Sequence, residues 1–121
     1  MKTLYVAGKY SAINERGVCR NIEAALLAAV QIAKLGVNPV VPHVSHVAAL
    51  AQGDYMEAMR LCYELLAECD GLYLAPGWAL SPGACNEKRQ AETLGLPVFS
   101  DLDAVSAWVK DSAPPVREQI R

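Results

Sequence analysis

The strongest constraint on the fold is a regular alternation of short apolar segments with longer helical patterns. Residues 4–7, 37–41, 71–75 and 96–99 have the length and composition of buried β-strands. Helical patterns with apolar residues at three- and four-residue spacing lie between them. Strands that alternate with helices over short connections form right-handed crossovers, and these give a parallel sheet covered on both faces. The sequence therefore predicts an α/β fold.

Capping residues set the limits of the predicted helices. Gly36 ends the first helix, and Asp54 with Glu57 three residues later has the pattern of a capping box for the second. Ser81 followed by Pro82 marks the start of the third. The strand order that we predict is the flavodoxin-like 2-1-3-4, in a three-layer sandwich with a parallel sheet of four to five strands. In the first helix, the stripe expected to face the sheet consists of Ile22, Ala25, Leu26, Ala29, Val30 and Ala33.

The remaining segments are less regular. Residues 43–53 are expected to form a loop or a short helix, and Ser100 and Asp103 are the expected caps of a last helix. Beyond that helix, residues 113–121, with Pro114 and Pro115, are predicted to be a mobile tail or an oligomer arm. We therefore expect a single domain over residues 1–112.

Composition excludes several classes of protein. Of the 121 residues, 53% are hydrophobic and 20% are charged, which is unlike a disordered chain. The formal net charge of -2 gives no footprint for duplex nucleic acid. The N-terminus lacks the pattern of a signal peptide, and no stretch has the length of a membrane span. The chain is therefore expected to be cytoplasmic, with no membrane partner.

The sequence offers no pattern for a metal site or a redox centre. His43 and His46 are three residues apart, too few for a metal site without nearby acids, and are interpreted as structural or as supporting the site. The four thiols lack CxxC spacing, and three of them lie in helical patterns where a thiol acts as a small buried hydrophobe. We expect no cofactor and no metal, and structural roles for Cys19, Cys62, Cys69 and Cys85.

A ligand crevice is expected between the first and third strands. In open parallel sheets, ligands bind outside the carboxyl ends of the strands at the topological switch point. The loops after Gly8 and after Ala75 should therefore face one another. Tyrosine hydroxyls there are suited to position a carboxylate or a sugar, although Tyr5 is equally compatible with a core aromatic. The first wall comprises Tyr5, Gly8, Tyr10 and Ser11, with Lys9, Arg16 and Arg20 as nearby cations.

Glu87 is the candidate catalytic residue. It shares the apolar stripe of the third helix with Ala84, Ala91 and Leu94, and it lies in the first two turns, near the crevice. A carboxylate in line with the core is costly unless it is paired or used. The alternative is a structural acid bonded to a loop amide or to one of the two arginines named above.

The second wall of the crevice is the turn that leads into this helix, beginning at Gly77 and Trp78. Ser81 and Gly83 lie at the helix N-terminus, where free amides and the helix dipole favour an anion such as phosphate. The alternative is that Ser81 only caps the helix and Gly83 only allows close packing.

Four segments, YVAGKYS, GW, SPGACNE and LGLPV, resemble the nucleoside 2-deoxyribosyltransferase superfamily, especially its short, often phage-borne members. The resemblance extends to about Phe99. In that superfamily a first-strand motif similar to residues 5–11 forms the site together with a motif that matches Ser81, Gly83 and Glu87. The superfamily glutamate is the nucleophile on the anomeric carbon. The resemblance implies a flavodoxin-like fold, no metal, and a homodimer or larger oligomer whose neighbouring subunit helps to close the pocket.

The resemblance implies cleavage or transfer of the N-glycosidic bond of a nucleoside or a (deoxy)nucleoside monophosphate. Glu87 would be the nucleophile, and Tyr5 would orient it. Water as the acceptor gives a hydrolase, whereas a second base gives a transferase. A 5'-phosphate held by the amides of Ser81 and Gly83 would indicate a nucleotide glycosidase.

The sequence departs from the superfamily pattern in the second helix and the first loop. Cys62 occupies the position of a superfamily aspartate, and Lys9 stands where many relatives have proline, which suggests an additional anion contact or a different loop shape. Asp70 matches a superfamily acid but is equally suited to a structural role. Asp54, Glu57 and water remain alternatives for protonating the leaving group. The alternative functions are a nucleotide-binding or sensing module without turnover and a scaffold that uses the tail.

Overall fold

The computed structural model describes residues 1–51 and 53–112. Its four strands are β1 (Thr3–Ala7), β2 (Asn38–Val40), β3 (Gly71–Leu74) and β4 (Val98–Phe99). Its six α-helices are α1 (Glu15–Ala33), α2 (Pro42–Ser45), α3 (Val47–Ala51), α4 (Tyr55–Ala67), α5 (Pro82–Thr93) and α6 (Leu102–Ser112). Residues 43–53 therefore include two short helices, while the predicted tail of residues 113–121 lies outside the described residues.

The four strands form one parallel sheet in the order β2-β1-β3-β4. Tyr5 of β1 is level with Val40 of β2 on one side and with Leu72 of β3 on the other. This confirms the predicted parallel sheet and strand order. The carboxyl ends of β1 and β3 therefore lie side by side, as the predicted crevice requires.

The sheet is covered on both faces, which makes the fold a three-layer sandwich. On one face, Leu4 and Val6 pack with α1 and α6 through Ile32 and Val105. On the other face lie the alternate residues of β1, together with residues of α4 and α5. Because successive side chains of a strand point to opposite faces, Tyr5 faces the α4 and α5 layer. This alternation brings the Tyr5 side chain to the helix that carries the candidate acid.

Helix α1 buries only part of the predicted stripe, because its buried face is shifted toward Ala28 and Ile32. Leu26 is 43% exposed, Val30 is 52% exposed and Ala33 is also exposed, so the prediction for these three residues is wrong. Ala25 and Ala29 are buried, as predicted. The helix sequence is apolar around most of its circumference, and the small alanines allow a closer approach to the sheet than the leucines would. The residues that α1 buries are Ala25, Ala28, Ala29 and Ile32.

Three smaller predictions are also corrected. Asp101 caps α6, since its carboxylate accepts the N–H of Ala104 at 2.7 Å, and Ser100 and Asp103 do not occupy the cap position. Leu94 is 44% exposed because α5 ends at the preceding residue. Cys19 lies on the exposed side of α1, whereas Cys62 and Cys69 are buried as expected.

The junction of β1 and β3 is held by Asp70. Its carboxylate accepts the backbone N–H of Thr3 at 2.8 Å and the Thr3 hydroxyl at 3.2 Å. The hydrogen bond from the Thr3 amide lowers the pKa of Asp70. These contacts lie at the amino ends of the strands, opposite the predicted crevice, and they favour the structural interpretation of Asp70.

Among the described helices, none combines the length and apolar character needed to cross a membrane.

Candidate active site

A cavity of about 330 Å³ opens at the carboxyl ends of β1 and β3. Its walls come from the loop after β1, from α2 and α3, and from the first turns of α4 and α5. A volume of this order is suited to a small molecule. The predicted site residues that line it are Gly8, Tyr10, Ser11, Ser81, Gly83 and Glu87.

Two predicted binding residues, Gly77 and Trp78, lie outside the cavity wall. Gly77 has a φ of 86° and makes the tight turn after β3, a conformation that favours glycine. Trp78 begins a single turn of 3-10 helix and packs on the apolar cluster beneath α5. Both residues therefore shape the approach to α5, and the predicted contact with substrate is not supported by their placement.

Glu87 lies at the base of the cavity and is only 6% exposed. Its carboxylate accepts a hydrogen bond from the hydroxyl of Tyr5, which is fully buried. Arg16 and Arg20, the alternative partners, are both exposed. Tyr5 is thus a core aromatic whose hydroxyl also donates to the candidate acid. The interpretations of Tyr5 as a core residue and as a site residue are therefore compatible.

Burial sets the protonation of this pair. Desolvation raises the pKa of Glu87 to about 7, and the hydrogen bond from Tyr5 opposes the rise. The pKa of Tyr5 is raised well above its ordinary range, first by burial and then by the charge of Glu87. Near neutral pH the phenol therefore keeps its proton, while the carboxylate is available in its ionised form. A carboxylate poised in this way is suited to act as a nucleophile or a base.

The buried acid is expected to make stability depend on pH. The pKa of Glu87 is about 7 in the folded protein, against an ordinary value of 4.5. Between these pH values the unfolded chain loses its proton while the folded protein keeps it, so the free energy of unfolding falls as pH rises and levels off above 7. The free energy of unfolding of Glu87→Gln minus that of wild type should therefore rise by about 3 kcal/mol from low to high pH. Urea unfolding of both proteins below pH 4.5 and above pH 7 measures this gain, and a stability difference that does not change with pH would contradict it.

The N-terminus of α5 forms one side of the cavity. The Ser81 hydroxyl accepts the N–H of Ala84 at 3.2 Å, and Pro82 occupies the first turn, as predicted. A Cβ added at Gly83 would meet the Met59 sulfur at an ordinary contact distance of 3.7 Å. Gly83 therefore leaves the backbone open to the cavity without being required by close packing. The dipole and amides of this helix end favour an anion.

His43 is a cavity residue to which sequence reasoning gave only a structural or supporting role. It is 3% exposed, and its Nε2–H donates to the carbonyl of Lys9 at 2.9 Å. The Tyr10 ring lies 6.1 Å from the imidazole, centroid to centroid. Burial lowers the pKa of His43, so the ring is neutral near pH 7 and supports the loop after β1. The available signal was Pro42, which lies two residues after the end of β2 and places the next residue at the same sheet edge.

Helix α4 forms the wall that the sequence indicated least clearly. Ala58, Met59 and Cys62 line the cavity along one side of this helix. The spacing of Met59, Cys62, Tyr63 and Leu66 predicts an apolar stripe on this helix, but it does not show that part of the stripe faces a cavity instead of the sheet. Because α4 packs against α5 above the sheet, its first turns face the ligand space.

The two acids that could protonate the leaving group, Asp54 and Glu57, differ in their position relative to the cavity. Asp54 lines the cavity mouth, and its carboxylate caps α4 by accepting the N–H of Glu57 at 3.1 Å. Glu57 is not part of the wall, and its carboxylate is paired with Arg60 at 2.6 Å.

Within the described part of the chain, no three His, Cys, Asp or Glu side chains are grouped so that they could hold a metal ion.

Most of the sequence matches a known family. The family model described as a domain of unknown function, DUF4406, matches residues 2–100. The chain belongs to this family. The matched part of this DUF4406 chain contains all four described strands and every wall of the cavity. The chain has no match among curated protein sequences.

The chemistry available to this DUF4406 domain centres on one buried carboxylate. Glu87 faces a cavity with an apolar wall from α4 on one side and the N-terminus of α5 on another. The Tyr5 hydroxyl fixes one carboxylate oxygen. The arrangement suits attack by the carboxylate on an electrophilic carbon of a small ligand whose anionic group lies at the helix end.

Proposed function

We propose that this DUF4406 domain cleaves or transfers the N-glycosidic bond of a nucleoside or a nucleoside monophosphate, with Glu87 as the nucleophile. The observation that carries the proposal is the burial of Glu87 at the base of a cavity, with Tyr5 donating to its carboxylate. The resemblance of the Ser81, Gly83 and Glu87 motif to the deoxyribosyltransferase superfamily supports the same role.

The first step transfers the sugar to the protein. A carboxylate oxygen of Glu87 bonds to the anomeric carbon as the bond to the base nitrogen breaks, and the bonding pair leaves with the base. The transition state resembles an oxocarbenium ion, which a nearby carboxylate stabilises. The Tyr5 hydrogen bond holds the carboxylate in place for this attack.

The second step releases the sugar. Water or a second base attacks the anomeric carbon of the glycosyl ester, and the ester bonding pair returns to Glu87. Water gives hydrolysis, and a base gives transfer. The same carboxylate serves both outcomes, so the acceptor that reaches the cavity decides between them.

The sugar and its phosphate are proposed to lie toward α5. Ser81 and Gly83 occupy the N-terminus of that helix in the cavity wall, and Lys9 lies in the opposite loop. A 5'-phosphate at this end would meet backbone N–H groups and a lysine ammonium. Substrates with a 5'-phosphate are therefore included in the proposed class.

Incubating the protein with nucleosides, deoxynucleosides, their 5'-monophosphates and NAD, and assaying for free base by chromatography, tests this proposal. We expect catalytic release of base from at least one compound and no comparable release by Glu87→Gln. Saturable binding without release from any compound, in both proteins, would contradict the nucleophile role. That second outcome would favour a nucleotide-binding or sensing module. Cys62 supports this alternative, because the superfamily that the sequence resembles has an aspartate at this position.

We also propose that the domain forms a homo-oligomer. Leu27 is 68% exposed and lies on the same outward side of α1 as Leu26 and Val30, which leaves an apolar helix surface uncovered. At the cavity mouth, Leu80 is 76% exposed. A second copy of the chain would cover such surfaces. Sedimentation analysis of the full chain tests the oligomeric state.

A further inference from the structure

We infer that the preferred substrates of this site are N-glycosides whose base already carries a positive charge on its glycosylated ring system, such as pyridinium or N7-alkylpurine glycosides. The inference rests on the proposed function and specifies its substrate class. Such bases leave as neutral molecules and require no proton. The composition of the cavity wall beside Glu87 leads to this conclusion.

The wall next to the nucleophile offers a thiol and apolar groups. Cys62 is 3% exposed, lines the cavity and lies near the Tyr5 hydroxyl. Ala58 and Met59 continue the same wall. Burial raises the pKa of the Cys62 thiol, which makes it a weak proton donor at neutral pH. A neutral purine or pyrimidine, by contrast, leaves readily only when its ring is protonated.

The imidazole and the second carboxyl group in the cavity wall are engaged elsewhere. His43 is neutral, and its one N–H is given to the Lys9 carbonyl at 2.9 Å. Asp54 acts as a hydrogen-bond acceptor in the cap of α4. Among the described residues that line the cavity, Asp54 and Glu87 are the carboxylic acids, and Asp54 is exposed at the mouth.

Charge complementarity points to the same substrates. The ionised form of Glu87 is a buried anion, and its hydrogen-bond partner in the described structure is a neutral hydroxyl. A buried charge is stabilised by an opposite charge close to it. A cationic ring next to the anomeric carbon would supply that charge and would favour the ionised, nucleophilic carboxylate.

The reaction balances without a proton donor. The carboxylate of Glu87 forms the bond to the anomeric carbon, and the pair of the breaking carbon–nitrogen bond cancels the positive charge of the base. Water then attacks the glycosyl ester, the ester pair returns to Glu87, and the proton of the water is released to solvent. The products are the free sugar, a neutral base and one proton.

The test compares two substrates that differ by one methyl group and one positive charge, guanosine and 7-methylguanosine. Each is assayed as the riboside and the 2'-deoxyriboside, with and without a 5'-phosphate, and the uncatalysed rate is subtracted. We expect wild-type kcat/KM to be at least about a hundredfold higher for the methylated compound. In Cys62→Asp, which places a carboxylic acid beside Tyr5, the preference should fall at least about tenfold through faster release of guanine.

Control variants separate this inference from the proposed function. Cys62→Ser introduces no acid, so the preference should stay high whatever its absolute rate, and thermal melting verifies that each variant folds. If wild type releases guanine within about tenfold of 7-methylguanine, and Glu87→Gln abolishes both, the inference is overturned while the proposed function stands. If Glu87→Gln releases either base at the wild-type rate, both are overturned. If wild type releases neither base but releases a neutral base from another nucleoside of the panel, the inference is overturned while the proposed function stands. If wild type releases no base from any compound of the panel, both are overturned.

Discussion

Replacing Glu87 with glutamine is expected to lower kcat/KM for base release by at least about a thousandfold. The amide has the shape of the carboxylate and can still accept the Tyr5 hydrogen bond, but it cannot form the bond to the anomeric carbon. The loss should appear in kcat as well as in kcat/KM, because the interaction that is removed exists only during the reaction. Steady-state assays of base release measure both constants.

The matched control is Glu92→Gln. Glu92 lies on the same helix, but it is exposed and its partner is Lys88 at 3.0 Å. An exposed pair of this kind contributes little, so activity should stay within about twofold of wild type. Equal losses in both variants would indicate a general effect on α5, and full activity of Glu87→Gln would exclude the nucleophile role.

Replacing Tyr5 with phenylalanine is expected to lower kcat by about tenfold to a hundredfold with a small change in KM. A hydrogen bond to a charged group contributes about 1.5–3 kcal/mol, and here it holds the attacking carboxylate. The same bond lowers the pKa of Glu87, so its loss should raise that pKa further. Because activity requires the ionised carboxylate, the rise of kcat/KM with pH should move to higher pH in the variant.

The control for this variant is Tyr73→Phe. Tyr73 belongs to β3 and is also buried, but its side chain packs on the α1 and α6 face of the sheet. Removing its hydroxyl should leave the pH profile of base release where it is in wild type. If Tyr5→Phe had wild-type kcat and an unshifted profile, Tyr5 would be a core aromatic without a role in orienting Glu87.

Local signals were sufficient to predict the order of elements and the strand pairing. Few arrangements of alternating strands and helices keep every crossover connection right-handed, so the alternation was sufficient to predict the parallel sheet. Ser81 and Pro82 predicted the start of α5, and the spacing of Glu87 from Ala84 and Ala91 predicted a buried acid at its first turns. These predictions depend on contacts within one element or on the connection between neighbouring elements.

Predictions that required the relative placement of elements were weaker. The apolar residues of α1 are spread around the helix, so the sequence does not show that Ala28 and Ile32 face the sheet while Leu26 faces outward. His43 lies in the short helix after β2, and its burial depends on how the loop after β1 folds over it. The wall formed by Ala58 and Cys62 depends on the packing of α4 against α5, which no periodicity encodes.

The central claim is that Glu87 becomes covalently bonded to the sugar, and mass spectrometry of a trapped intermediate tests it most directly. A nucleoside from the active class, substituted with fluorine at C2' to slow both steps, is mixed with the protein and quenched in acid. We predict a mass increase of one fluorinated glycosyl unit on the tryptic peptide that ends at Lys88, with fragmentation assigning it to Glu87. Release of base equal to the amount of protein, with Glu87 unmodified, would contradict the account.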